Sequence, residues 1–314
     1  MSRILFVDSA HPSLTSLLEA QGFECHHLAP NQGYHECRQM IADYTGLIIR
    51  SRFPIDRPLL DAATRLRFIG RVGAGMENID SEYAAGKGIV CLNAPEGNRD
   101  AVAEHAIGML LALFNQLLRA DAEVRQGIWR REANRGLEIG GKTFGIIGFG
   151  NTGSALARKL SGFDVRLLAY DKYKKGFGNS MVEETDMDEI FDQADVLSLH
   201  VPLTQETKML VDYAYLRRFR KPLYLINTSR GPVVHTFSLL RAMDEGLVKG
   251  ACLDVLEFEE NSFEDLKSGQ WPEAFTKLVK RRDVLLSPHI AGWTHESGIK
   301  MAAILAEKIG RLEL

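Results

Sequence analysis

The stretch GIIGFGNTGSALARKL, residues 145–160, decides how the rest of the chain is read. Its apolar start, glycine-rich middle and amphipathic end predict a buried strand, a tight turn and the opening of a helix. Gly148, Gly150 and Gly153 stand at G-x-G-x-x-G spacing. In such a unit the first glycine permits the turn, the second lets backbone approach a pyrophosphate, and the third lets helix and strand pack closely. Amides at the helix start then face the phosphates. With 28 glycines in 314 residues, a turn needed only for packing could show the same triplet. The following strand argues for the cradle. DVRLLAYD (164–171) ends in Asp171, about 20 residues on, where a carboxylate accepts from ribose hydroxyls and repels a 2′-phosphate. NAD is therefore expected over NADP. Lys172, Lys174 and Lys175 follow directly; they either offset that repulsion or form a solvated turn.

The residues before the cradle need a purpose. Short β-branched runs (Ile4 to Val7, Leu47 to Ile49, Phe68 to Ile69, Ile89 to Leu92) alternate with helical stretches such as Leu14 to Ala20 and Pro58 to Ala63. A long apolar helix, Ala101 to Arg119, is expected next, with a short one to about Gln126. Alternation then restarts through Phe144 to Ile147, Val165 to Ala169, Val196 to Leu199, Leu223 to Ile226, Ala251 to Leu253 and Val284 to Leu286. Alternating strands and helices predict parallel βαβ units, hence an α/β chain of two doubly wound domains.

Composition narrows the partners. The formal net charge is −3, from 38 basic and 41 acidic residues, which predicts a small-molecule ligand rather than nucleic acid or an anionic membrane. Four cysteines (Cys25, Cys37, Cys91, Cys252) without C-x-x-C spacing suit reduced thiols and a cytoplasmic setting. The start MSRILFVDSA has no signal-peptide pattern. The greasiest run, Ala106 to Phe114, is far shorter than a membrane span. No metal-ligand pattern stands out.

A nicotinamide cofactor calls for a group that moves a proton while hydride moves. His289, in SPHIAGWT, follows a buried strand at the carboxyl edge where open α/β sheets hold ligands. Imidazole both gives and takes a proton near neutrality. A lone histidine beside a proline turn is more often structural. However, Arg230 in NTSRG and Asp254 and Glu259 in GACLDVLEFEE come from the same edge.

With these motifs in place the chain resembles the D-isomer-specific 2-hydroxyacid dehydrogenases over essentially its full length. The resemblance rests on GRVGAGMENID (70–80), NRDAVAEHAIGMLLAL (98–113), GKTFGIIGFGNTGSALARKL (141–160), LHVPLTQETKMLV (199–211), INTSRGPVV (226–234), GACLDVLEFEE (250–260) and LSPHIAGWTHES (286–297). It implies a Rossmann NAD-binding domain, 99–293, inserted into a flavodoxin-like substrate domain, 1–98 and 294–314, and so accounts for the late cradle. It also implies roles. Arg230 would bind the substrate carboxylate and polarise the C2 oxygen, His289 would exchange the hydroxyl proton, and Glu259 would hold the imidazole and stabilise its charged form. Asp254 would bond the nicotinamide carboxamide. His200, Val201, Pro202 and Thr207 would wall the cofactor, Thr228 and Ser229 would line its nicotinamide side, and Asn151 and Thr152 would complete the cradle. The backbone at Ala74 and Gly75 would grip the substrate carboxylate. A homodimer through the NAD-binding domains is implied, with the long helix and Trp129 in the interface; Met109, Leu110, Leu113, Phe114, Leu117 and Leu118 give that helix more apolar surface than one core face needs, a pattern that a wholly buried helix would also show.

Some positions depart from the family pattern. Glu260 replaces a common proline, Asn151 and Thr152 stand where arginine and an aliphatic residue are frequent, and Trp293 stands where small residues are usual. The stretch from Glu259 to His289 is long and carries Phe263, Leu266, Trp271, Phe275 and Leu278, as expected for an excursion packed over the cofactor domain or, alternatively, for a segment that shapes the mouth of the active site.

Arg50, in GLIIRS, and Arg71, in RFIGRVGAG, match arginines that phosphoglycerate dehydrogenases of the family present to substrate. Two guanidiniums suit a phosphate plus a carboxylate; alternatively they are strand-end surface arginines like Arg52. The favoured expectation is oxidation of 3-phosphoglycerate in serine biosynthesis, without feedback inhibition by serine because the chain stops at its returning helix, Thr294 to Leu314. A glyoxylate/hydroxypyruvate reductase or another D-2-hydroxyacid dehydrogenase is the alternative, and an NAD-sensing scaffold a remoter one.

Overall fold

A computed structural model describes residues 2–259 and 271–313. These fall into two compact units, one of 2–99 and 293–313 and the other of 100–259 and 271–292.

The first unit is a parallel sheet of β1 (Arg3–Phe6), β2 (Glu24–His27), β3 (Gly46–Ile49), β4 (Phe68–Arg71) and β5 (Val90–Asn93), in the order β2-β1-β3-β4-β5. This is the flavodoxin-like order. Its inner strands read as continuous apolar runs because helices cover both faces; Leu47, Ile48 and Ile49 are fully buried. The returning helix, His295–Gly310, packs Met301, Leu305 and Ile309 against Ile4, Phe6 and Phe68. Thr294 caps it, accepting from the Ser297 amide at 3.0 Å.

In the second unit β6 (Thr143–Ile147), β7 (Arg166–Tyr170), β8 (Glu183–Glu184), β9 (Val196–Leu199), β10 (Leu223–Asn227), β11 (Val248–Leu253) and β12 (Val284–Leu286) pair in parallel as β12-β11-β10-β9-β6-β7-β8. The order reverses between β6 and β9, the switch point at which open α/β sheets bind ligands. The cradle follows β6 directly.

Several boundaries differ from the expectation. The long helix runs Pro95–Phe114, starting at its proline, and a second runs Leu117–Arg125. They break at Gln116, whose φ of 54° is left-handed. Met109, Leu110, Leu113 and Phe114 are buried in the second unit's core, so they are no surplus; Leu117 and Leu118 are exposed. The edge strand β2 (ECHH) and the two-residue β8 escape a search for apolar runs. Of the long segment before His289, Phe275 and Leu278 are buried on the Glu273–Leu278 helix, while Trp271 is exposed; Glu260, Phe263 and Leu266 lie outside the described residues. No single helix among the described residues is long and apolar enough to cross a membrane.

Candidate active site

The cradle has the geometry its sequence predicts. Gly148 has φ +90°, and a Cβ there would stand 2.5 Å from the His200 carbonyl oxygen; one on Gly153 would stand 2.1 Å from the Gly148 oxygen. Beside Gly150 a Cβ would meet nothing within 4 Å, which leaves backbone open to approach. The helix Asn151–Leu160 begins here without a side-chain cap, so its first amides suit a phosphate. Asp171 accepts the Phe149 amide at 2.8 Å and those of Tyr173 and Lys174 at 2.9 Å each. Partial burial opposes its charge, but these three amides and the Lys174 ammonium outweigh burial and hold the carboxyl below its ordinary range. It stays anionic where a 2′-phosphate would be repelled. Lys172 pairs with Glu206, and Lys175 donates to the Asp171 carbonyl at 3.2 Å.

Around this turn, Thr152 Oγ1 meets His200 Nδ1 at 3.1 Å, and Ser198 Oγ meets His200 Nε2 at 2.9 Å. Burial lowers His200 to about 4, so it is a neutral packing and hydrogen-bonding group at pH 7. The unfolded histidine takes its proton near 6.5 while the folded one resists, so stability falls as pH drops from about 6.5 and levels off near 4. The expected loss is about 2 kcal/mol by pH 5, and urea unfolding of His200→Gln should show a flatter slope across pH 5–6.5. Equal slopes would remove His200 from the cause. Val201 lies beside Gly148, and Thr207 donates to the Pro202 carbonyl at 2.6 Å, closing the loop after β9.

At the end of β10 the fully buried Asn227 accepts from the Ser229 amide at 3.1 Å and hydroxyl at 2.8 Å, and donates to the Arg230 carbonyl at 3.0 Å. This side chain shapes the turn that carries Arg230, a role the sequence reading did not assign. Arg230 Nη1 donates to the Ser229 carbonyl at 2.7 Å. Thr228 Oγ1 is buried without a hydrogen-bond partner among the described residues, a cost that a carboxamide beside it would remove. The cradle and this hydroxyl fit NAD.

Past β11 and β12, Glu259 and His289 meet: Glu259 Oε2 lies 2.7 Å from His289 Nδ1, and its Oε1 accepts the Leu256 amide. His289 has φ 54°, a conformation that costs on the order of 1–3 kcal/mol away from glycine and clusters at functional sites. Asp254 holds it there. The His289 amide donates to the Asp254 carbonyl at 2.7 Å, and the carboxylate accepts the Ile290 amide at 2.9 Å, the Ala291 amide at 2.8 Å and the Ser287 hydroxyl at 2.5 Å. Only 1 % of Asp254 is exposed. Burial opposes its charge, yet His105, Ser287 and the two amides hold the carboxyl below the usual range. His105 Nε2 lies 2.9 Å from Ser287 Oγ. It sits inside the quoted 98–113 motif, but helical periodicity marks its neighbours as core and gives it no role.

The first unit carries Arg50, Arg71, Ala74 and Gly75. Arg71 is 8 % exposed, which corrects the surface alternative for it. Arg50 follows β3, whose Ile49 pairs with Arg71 of β4, so the two arginines leave adjacent strands. Arg52 is not a surface arginine either: its guanidinium donates to the carbonyls of Val7, Pro30 and Gln32 at 2.9, 2.8 and 2.7 Å, with Ala29 at 3.4 Å. Asp8 Oδ2 accepts the amides of Arg50, Ser51 and Arg52 at 3.1, 2.7 and 2.9 Å. The Ala74 carbonyl accepts from Asn93 Nδ2 at 2.6 Å.

A Rossmann-ordered sheet, a glycine cradle at its switch point and a carboxylate-held histidine define an NAD-binding oxidoreductase. Residues 107–291 match the family described as "D-isomer specific 2-hydroxyacid dehydrogenase, NAD binding domain", and the chain belongs to that family. It is 37 % identical to a glyoxylate reductase of Thermofilum pendens, over 87 % of this chain and 80 % of that protein. It is 34 % identical to a D-3-phosphoglycerate dehydrogenase of Archaeoglobus fulgidus, over 86 % of this chain but 49 % of that protein, so it spans about half of that relative. Among solved structures, a D-lactate dehydrogenase from Aquifex aeolicus, complexed with NAD and lactic acid, superposes with a TM-score of 0.82 at 27 % identity, covering 98 % of this chain and 94 % of the other.

Proposed function

We propose that this NAD-dependent dehydrogenase oxidises 3-phosphoglycerate at C2 to 3-phosphohydroxypyruvate, the entry reaction of serine biosynthesis, in the cytoplasm. The observation that carries the substrate is the pair Arg50 and Arg71 on adjacent strand ends, with Arg52 tied to carbonyls. One guanidinium suffices for a plain carboxylate; two suit a phosphate as well. In the second unit, Arg230 binds the substrate carboxylate and polarises the C2 oxygen. With Nδ1 facing Glu259, His289 Nε2 takes the C2 hydroxyl proton in oxidation and returns it in reduction. The nicotinamide of a bound NAD would supply the acceptor for the hydride that leaves C2. Glu259 orients the ring, Asp254 and Thr228 are the proposed partners of the carboxamide, and the backbone at Ala74 and Gly75 grips the carboxylate.

The test is NADH absorbance during oxidation of 3-phosphoglycerate, D-glycerate and D-lactate, with hydroxypyruvate and glyoxylate in reverse. A higher kcat/KM for 3-phosphoglycerate supports the reading. Fast glyoxylate or hydroxypyruvate reduction without a phosphate preference supports the second reading, a glyoxylate/hydroxypyruvate reductase, which the similarity to the Thermofilum pendens enzyme favours.

A homodimer through the NAD-binding unit is also proposed. It is supported by the Leu117–Arg125 helix, which buries no residue and exposes Leu117, Leu118 and Val124 near the exposed Trp129 in sequence. Sedimentation should give twice the chain mass, and Leu118→Glu should shift it toward the monomer.

A further inference from the structure

Trp293 occupies a position where a large exposed aromatic side chain needs a reason. It is 62 % exposed and immediately precedes Thr294, the cap of the returning helix. A hydrophobic residue just before a cap often packs on the fourth helical residue, but that residue here is Gly298, which has no side chain to receive it. The indole instead lies against Arg50, whose Cζ stands 4.2 Å from the ring centroid. Asp8 already fixes the Arg50 amide, and Asn78 Nδ2 approaches its carbonyl at 3.4 Å. The backbone of Arg50 is therefore held by other groups, and the ring acts on its long side chain. A cation over an aromatic face is drawn to that face, so the indole narrows the orientations that the Arg50 guanidinium, a planar fork suited to bidentate binding of an oxyanion, can take.

We propose that Trp293 is a specificity-determining positioning residue, whose indole face holds the Arg50 guanidinium in the orientation that receives the phosphate of a phosphorylated 2-hydroxyacid. The inference rests on the phosphoglycerate reading above. It makes the departure at position 293 part of substrate choice rather than of folding.

Three variants test it: Trp293→Leu keeps apolar bulk without a π-face, Trp293→Phe keeps a ring, and Arg50→Ala removes the cation. Trp293→Leu should raise KM for 3-phosphoglycerate about three- to tenfold, with kcat and the KM for D-glycerate within about twofold of the parent; Trp293→Phe should recover most of the difference. With Trp129 and Trp271 both changed to Phe, Trp293 is the sole tryptophan, and its emission should respond to 3-phosphoglycerate and not to D-glycerate at matched ionic strength. If Arg50→Ala abolishes the substrate preference while Trp293→Leu leaves it intact, the inference fails and the substrate reading stands. If Trp293→Leu weakens both substrates equally, the residue is structural and the inference fails. If Arg50→Ala leaves the preference unmoved, the phosphate reading falls and the inference falls with it.

Discussion

Changing His289 to Asn should lower kcat about a hundred- to ten-thousandfold in both directions, the usual contribution of a positioned general acid–base, with little change in the unfolding midpoint. Asparagine is chosen for the backbone. Position 289 has φ 54°, a region in which Asn is enriched and Ala is strained. Its amide should keep donating to the Asp254 carbonyl. Glu259 keeps its bond to the Leu256 amide, so its carboxylate remains in place with no imidazole to orient. A variant that retains its kcat within tenfold would remove His289 from proton transfer; one that unfolds early would mean that the ring, and not only the backbone, supports the loop.

The second large effect is expected at Asp254. Changing it to Ala leaves the amides of Ile290 and Ala291 and the Ser287 hydroxyl without the acceptor they share. Unpaired buried donors cost about 1–3 kcal/mol each; the Ser287 hydroxyl keeps His105 Nε2 at 2.9 Å, so the two amides carry the loss, about 2–5 kcal/mol. Activity should fall as well, since the same carboxylate fixes the turn that places His289. Asp254→Asn keeps the shape but turns an NH2 toward one of the donors, so an intermediate loss is expected. Urea unfolding at pH 7 reads both. A midpoint for Asp254→Ala equivalent to a loss under about 1 kcal/mol would show the donors finding other partners. The parent should lose this contribution in acid, as pH falls below the ordinary carboxylate range through the depressed value of Asp254.

The parts of this molecule that sequence reveals are those where one residue type satisfies a backbone demand. Gly148 is legible because a positive φ and a carbonyl 2.5 Å from its missing Cβ exclude other side chains. The inner strands are legible because burial on both faces forces apolar runs, as in Leu47 to Ile49. By contrast, β2 is held by pairing Glu24 to His27 with β1, and backbone pairing leaves no mark in ECHH. Motif resemblance singles out Glu259 and His289, which meet at 2.7 Å, yet the groups that fix the turns of this molecule are not legible. Asn227, Asp8 and His105 act through turns and neighbours distant in sequence, as His105 does on Ser287, 182 residues away. Arg52 is the clearest case: nothing in its spacing announces that its guanidinium donates to the carbonyls of Val7, Pro30 and Gln32.

Those contacts bear on how such a chain diversifies. Asp8 and Arg52 secure the 50–52 turn through amides and carbonyls, groups that every amino acid except proline presents alike. The scaffold is therefore indifferent to which side chain occupies position 50. Exchanges there and at Trp293 leave those backbone bonds in place, so a two-position library is a short evolutionary path from one hydroxyacid to another, while position 52 admits almost no drift.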